Sequence, residues 1–299
     1  MRGGGAVLFA LYALLMKKQG MRATTAILAY PIAAVLAAVL AKVSFVLIKA
    51  DSQFSRFGLN AFFNVTKPNE YCFFFGCVGG LIGVALAARL THEKPMRALD
   101  TFAPFAALLV ALARFAEGQL FMVGLGPIAE AGKWPSGTVF AATYYTLDYV
   151  AVYMFEACAA LIAAIGAWLY RNKGCHGMKM EWTVFFLCLP QIFFESYRSS
   201  TLRWGFLRCE QLFAMLTMLG LTAKICYQTK GNMCFMRRYL PAVLMVGIAG
   251  LLVCIELALD KWTDWSALTC YLLMGGVLVL AALCRYFAVR RMMKSKKAI

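Results

Sequence analysis

The sequence predicts an all-α, polytopic integral membrane protein with about nine transmembrane helices, and three observations predict it. First, 62% of the 299 residues are hydrophobic, 15% are charged, and the mean hydropathy is +0.71; a water-soluble domain carries about 25% charged residues. Second, the apolar residues fall in long runs, and about 20 such residues in a helix cross a hydrocarbon core of about 30 Å. Third, the cations behind the net charge of +16 lie in short loops between those runs. That spread marks membrane topology and not one face for a polyanion.

The runs are 4–16, 24–48, 71–90, 102–123, 143–170, 182–197, 207–225, 240–259 and 266–284. All are expected as helices, because lipid offers no partner to an open backbone. The first is short. It follows Arg2 and ends at Lys17 and Lys18 without a clear small-residue cleavage site, so a retained helix is expected and not a signal peptide.

Orientation follows from alternate loops. The set 17–22, 89–101, 171–181, 224–239 and the tail from Arg285 holds 19 of the 30 cations, and the opposite set holds 9. The richer set belongs on the cytoplasmic side, which puts the N-terminus outside and the C-terminus inside. The tail RRMMKSKK also suits anionic lipid at the inner surface. The longest loops, 49–70 and 125–142, both fall outside and carry Gly58, Pro68, Gly126, Pro127, Gly132, Pro135 and Gly137. Loops of that size often bind substrate or act as lids. No internal repeat is visible, which argues against a transporter built from inverted repeats.

Charged residues within spans are costly, so they mark function or a paired contact. Here they are Lys42, Arg114 with Glu117, Glu156, Glu195 with Arg198, Glu210 and Glu256. Both Arg114/Glu117 and Glu195/Arg198 have the i,i+3 spacing that shares a helix face. Each pair either neutralises itself between helices or serves a site. Arg114, Arg198, Arg203 and Arg208 all lie in or beside the outer half of their helices. Arginine presents a planar fork matched to phosphate, so this grouping suggests a phospholipid headgroup site without naming a reaction. Two histidines and eleven scattered cysteines form no C-x-x-C pair and no metal-ligand spacing, so no cofactor is expected. The cysteines read as small hydrophobes.

The order of motifs resembles prolipoprotein diacylglyceryl transferase, the bacterial membrane enzyme that lipidates the lipobox cysteine of preprolipoproteins. GGLIGV at 79–84 is like H-G-G-L-I-G-V, and DTFAPFAALLVALARFAEG at 100–118 is similar to D-F-x-A-P…G-R-x-G-N, with Asp100, Ala103, Pro104 and Arg114 in register. VYMFEACAALIAAIGAWLYR at 152–171 resembles Q-L-Y-E-A…L-Y-R, and PQIFFESYR at 190–198 resembles F-R-F-x-x-E-F-x-R. EQLFAML at 210–216 is similar to G-Q-x-L-S, AKVSFVLI at 41–48 to G-R-x-G-Y-V-L-F, and Tyr12 matches a first-helix tyrosine. Residues 1–225 are thus expected as a transferase-like seven-helix core, and 226–299 as two further helices with a basic tail. Val78 stands where the family has histidine, Glu117 where it has asparagine, and Gln191 where it has the first arginine of the sixth helix.

The resemblance implies transfer of a diacylglyceryl group from phosphatidylglycerol to the lipobox thiol, in a bacterial cytoplasmic membrane. Arg114 and Arg198 would bind the lipid phosphate, with Lys42, Gly79, Gly80 and Tyr12 also on the substrate side. Glu156 or Glu195 would orient the arginines or act as general base. Glu117 is either a base or the partner of Arg114, and the partner role is favoured. The competing classes are a catalytically impaired lipid- or lipoprotein-binding protein on the same fold, which Val78 favours, and a small-solute transporter.

Overall fold

The structure, a computed structural model, describes residues 2–64, 70–130, 133–170, 176–199, 202–204, 207–229, 235–262 and 265–297. In chain order the elements are α1 (Arg2–Lys18), α2 (Ala23–Ile48), α3 (Ala50–Phe57), a 3-10 turn (Gly58–Phe62), α4 (Phe73–Leu90) and α5 (Pro95–Phe121). Then come β1 (Leu125–Ile128), β2 (Ala141–Tyr144), β3 (Leu147–Ala151), α6 (Val152–Leu169) and α7 (Met178–Glu195). The chain continues through β4 (Arg203–Trp204), β5 (Leu207–Arg208), α8 (Cys209–Gln228), α9 (Phe235–Leu257), a π turn (Ala258–Trp262) and α10 (Ala267–Lys297).

The protein is predominantly helical, and seven of the described helices are long and apolar enough to cross a membrane: α2, α4, α5, α6, α8, α9 and α10. This agrees with an all-α polytopic membrane protein. The expected nine spans are not all of this kind. Helix α1 has 17 residues, about 25 Å at 1.5 Å per residue. Helix α7 carries Lys179, Glu181 and Glu195 among its 18 residues. Large apolar side chains such as Ile27, Val35, Leu161 and Ile165 stand exposed on the outward faces of α2 and α6. Exposed apolar faces on helices this long are what lipid contact requires.

Two stretches depart from the helical expectation. The run expected to begin a helix at 143 is extended as far as Ala151, where β3 pairs antiparallel with both β2 and β1. Its β-branched and aromatic residues, Thr143, Tyr144, Tyr149 and Val150, suit a strand. The turn between β2 and β3 has two residues, and its first, Tyr145, adopts φ +57°, the left-handed conformation that short hairpins use. The second departure is α10, which continues through the basic tail to Lys297.

By contacts the chain divides into two compact units: Met1–Leu187 with Tyr197–Glu210, and Cys188–Ser196 with Gln211–Ile299. This division follows packing, whereas the 225/226 boundary follows the motifs.

In the first unit α2 and α4 pack backbone to backbone. A Cβ on Gly79 would lie 2.4 Å from the Leu36 carbonyl oxygen, and one on Gly83 would lie 2.4 Å from the Ala33 Cα. Small residues four apart allow this approach, which yields van der Waals contact where lipid gives no hydrophobic drive. Gly80 faces open space instead. Over its most apolar 18 residues α5 is the most enclosed of the seven spans, with 56% of them buried. Near its start Asp100 caps α7: Gly177 N–H donates to Oδ2 at 2.6 Å and Met180 N–H to Oδ1 at 3.0 Å. Near its end Gly118 lies flat against the Tyr153 ring of α6.

In the second unit a buried polar group joins α7, α8 and α9. Ser196 Oγ donates to Glu256 Oε2 at 2.6 Å, while Gln211 Nε2 donates to Ser196 Oγ at 2.9 Å, to the Ile192 carbonyl at 3.0 Å and to Glu256 Oε2 at 3.3 Å. Arg238 of α9 donates to the exposed last carbonyls of α8, those of Cys226 (2.9 Å) and Tyr227. A cation there complements the negative helix end.

Candidate functional site

One end of the first unit gathers the C-terminus of α5, the N-termini of α4, α6 and α8, and the segment after α7. Arg114, with its side chain 1% exposed, is the centre. Its Nη1 donates to Glu117 Oε2 at 2.6 Å, its Nε lies 3.3 Å from Glu156 Oε2, and its Nη2 reaches Glu210 Oε2 at 3.5 Å. The flat face of the guanidinium sits over the Phe73 ring, 3.6 Å from its centroid. That distance places the cation against the electron-rich ring face.

A second arginine completes the cluster. Arg198 Nη2 donates to Glu117 Oε1 at 2.5 Å, and its Nη1 lies 3.8 Å from Glu156 Oε1. Glu117 therefore offers one oxygen to each arginine. The chain positions Arg198 by two bonds from the next residue, Ser199, whose N–H and Oγ both donate to the Leu125 carbonyl at 2.9 and 2.8 Å. Leu125 is held by the sheet, where it pairs with Ala151. Gly124, at φ +78°, lies beneath the guanidinium, and a Cβ there would be 2.9 Å from Arg198 Nη2. The backbone conformation calls for glycine, and a methyl there would press on the guanidinium and on Tyr153 Cβ at 3.2 Å.

The carboxylates are placed unequally. Glu210 lies in the first turn of α8, where the helix dipole favours negative charge, and Glu156 lies one turn into α6. Glu210 also caps α4, since Phe73 N–H donates to its Oε1 at 2.7 Å. Glu117 instead lies one turn from the C-terminus of α5, where the dipole opposes an anion. It is also the most open member, 24% exposed against 4% for Glu156 and 8% for Glu210.

The structure thus brings together Arg114, Arg198, Glu117 and Glu156 of the expected site residues. Lys42 makes a separate ion pair, its Nζ 2.9 Å from Glu70 Oε2 beside the Tyr71 ring. It sits at the same end of the unit, because Cys72 N–H bonds the neighbouring Ala41 carbonyl at 3.0 Å. Gly79 serves the α2–α4 seam. Tyr12 is buried among Phe9, Phe102 and Phe105 and donates to the Ala98 carbonyl at 3.2 Å. Glu195 belongs to the second unit, where Gln191 Nε2 donates to its Oε2 at 3.1 Å. Because Glu195 closes α7, Arg198 lies beyond the helix, and the i,i+3 face expected for the two does not extend to it. Val78 is half-buried in α4.

Of the other outer arginines, Arg208 is buried and its Nη1 reaches the Arg198 carbonyl at 3.5 Å, while Arg203 is exposed. Three members were outside the expected site set. Glu210 and Arg208 carried a signal, a charge at span depth; Phe73 carried none.

Each arginine gives one N–H to a different oxygen of the Glu117 carboxylate, and guanidinium groups pair with carboxylate and phosphate alike. Two arginines from distant parts of the chain converge here on one anion, in a wall built from helix ends. Comparison of this chain with protein-family models, with curated proteins and with solved structures finds no match.

Proposed function

We propose that this chain is a phospholipid-headgroup enzyme of the inner bacterial membrane, acting as prolipoprotein diacylglyceryl transferases do. The observation that carries the reading is the convergence of Arg114 and Arg198 on a single anion position. The motif order over residues 1–225 supplies the reaction. In this reading α1 and α7 also lie in the bilayer, nine helices in all. The arginine cluster faces the outer leaflet, with the N-terminus outside and the C-terminus in the cytoplasm.

The chemistry is an alkyl transfer. The thiolate of a lipobox cysteine attacks the C3 carbon of the diacylglyceryl group of phosphatidylglycerol. A C–S bond forms, the C3–O bond breaks, and glycerol phosphate leaves with the electron pair. The thiol proton passes to a carboxylate of the cluster, since the thiolate is the nucleophile and a free cysteine titrates near pH 8.5. Arg114 and Arg198 hold the phosphate and stabilise the charge that builds on its bridging oxygen.

Purified protein in phosphatidylglycerol liposomes, given a lipobox peptide, is expected to add one diacylglyceryl group to the cysteine, read by mass spectrometry. Arg114→Gln is expected to abolish the transfer. A second reading, lipid binding without turnover, is favoured by Val78 at the histidine position. Phosphatidylglycerol binding with no thioether on several lipobox peptides would select it. Neither binding nor transfer would overturn both.

A further inference from the structure

We infer that the Glu117 carboxylate is an internal occupant of the anion seat between Arg114 and Arg198, and that a singly charged phosphodiester displaces it when lipid binds. This rests on the headgroup reading and adds how the seat is kept and what it selects. No hydrogen-bonding group is needed beyond those already present: each guanidinium already directs one N–H to a different oxygen of the same anion, at 2.6 and 2.5 Å. A phosphodiester has two non-bridging oxygens to take the same two N–H bonds, one from each arginine.

Three features make Glu117 the exchangeable member. It is the most exposed of the three carboxylates. It alone lies toward a helix C-terminus, where the dipole opposes its charge, while Glu210 sits in the first turn of α8 and Glu156 one turn into α6. Its side chain leaves from α5, a surface-reaching helix end that turns at Met122 in the left-handed conformation, φ +50°. Glu156 and Glu210 remain behind as the fixed counter-charges of the arginines.

The exchange also sets selectivity. Glu117 contributes one negative charge to a buried group that includes Arg114, Arg198, Arg208, Glu156 and Glu210. A phosphodiester monoanion replaces that charge one for one. A phosphomonoester or inorganic phosphate brings close to two at neutral pH, and the extra charge is unpaired in a poorly solvated site, which is costly. The seat is therefore tuned to diesters such as phospholipid headgroups, and Glu117 acts as a positioning and selectivity residue.

The test uses the full chain in a phosphate-free sugar detergent, titrated with short-chain phosphatidylglycerol, glycerol phosphate and inorganic phosphate. Wild type is expected to bind the lipid at least tenfold more tightly than either dianion. Glu117→Gln removes the competitor and adds one net positive charge. It is expected to bind the lipid about tenfold more tightly than wild type and to gain still more for the dianions. Thermal unfolding guards against a merely unstable variant: lipid is expected to raise the melting temperature of Glu117→Gln more than that of wild type. Unchanged or weaker lipid binding by a folded Glu117→Gln, or no greater thermal rescue, overturns the inference. Equal affinity of wild type for lipid and inorganic phosphate overturns the diester selectivity and puts free phosphate in the seat. Transfer activity separates the two levels. Tighter lipid binding by Glu117→Gln without thioether formation in wild type sinks only the transferase reading. Thioether formation with no affinity change sinks only the exchange.

Discussion

The two units each bury carboxylates, and the described partners of those carboxylates differ. In the first, Glu117, Glu156 and Glu210 face Arg114 and Arg198, charge against charge. In the second, Glu256 is met by the hydroxyl of Ser196 and the amide of Gln211. Either solution offsets the cost of taking an anion out of water. In the proposed reading the first also offers a place for another anion, because cations attract whatever negative group reaches them. The hydroxyl and amide that meet Glu256 tie α7, α8 and α9 together. A buried polar group is thus a candidate site by what its partners are, and its burial alone does not distinguish lock from seat.

The contrast can be broken first at its strongest point. Arg114→Gln leaves three carboxylates around a neutral amide and is expected to destabilise the first unit by about 3–5 kcal/mol, the typical cost of breaking a buried pair from one side. Denaturant unfolding in micelles measures it. The next comparison is between two isosteric changes. Glu156→Gln deprives both arginines of a counter-charge and is expected to cost about 3 kcal/mol. Glu256→Gln keeps an oxygen for Ser196 and Gln211 and is expected to cost about 1 kcal/mol. Equal losses would erase the distinction between the two clusters.

A smaller effect is expected from Gly124→Ala. Its left-handed backbone costs about 1–2 kcal/mol with a Cβ, and the methyl meets Arg198 Nη2. Lipid affinity is expected to fall together with stability, because the guanidinium must move; a loss of stability alone would show that Arg198 is not part of the seat. The smallest effect concerns Asp148 on β3. Ser136 and Thr143 donate to its carboxylate at 2.6 and 2.8 Å and hold its pKa below the usual aspartate value. A lowered folded pKa adds stability that is present above the unfolded value near 3.9 and is lost as pH falls through the folded one. Protection of the β1–β3 amides, with exchange corrected for the intrinsic rate at each pH, is expected to fall below about pH 4, and Asp148→Asn is expected to remove that dependence.

Much of this was legible in the sequence, and the reasons differ by residue. The helices follow from run length, since hydrocarbon demands it whatever packs around them. Arg114 with Glu117 follows from helical spacing, because both residues lie inside one helix. Glu195 with Arg198 has the same spacing and fails as a helical pair, because the helix ends between them and Ser199 ties the following chain to Leu125. The strands at 141–151 were hidden in an apolar run whose length suited a helix. Glu210 announced itself as a charge at span depth, but its partner Arg114 is 96 residues away. Phe73 is one of 23 phenylalanines, and nothing local marks it as the ring under a guanidinium.

Helix α5 carries Asp100 at one end, where it caps α7, and Arg114 near the other, where it anchors the anion cluster. The two are 14 residues apart, about 21 Å and close to four full turns, so they share one face. The helix is therefore a phased shaft. One residue inserted between them would turn the two ends about 100° out of step, and a four-residue insertion would nearly restore the phase while lengthening the shaft by about 6 Å. The separation of the α7 cap from the arginine cluster, and the aim of each, are thus written into a single count of residues.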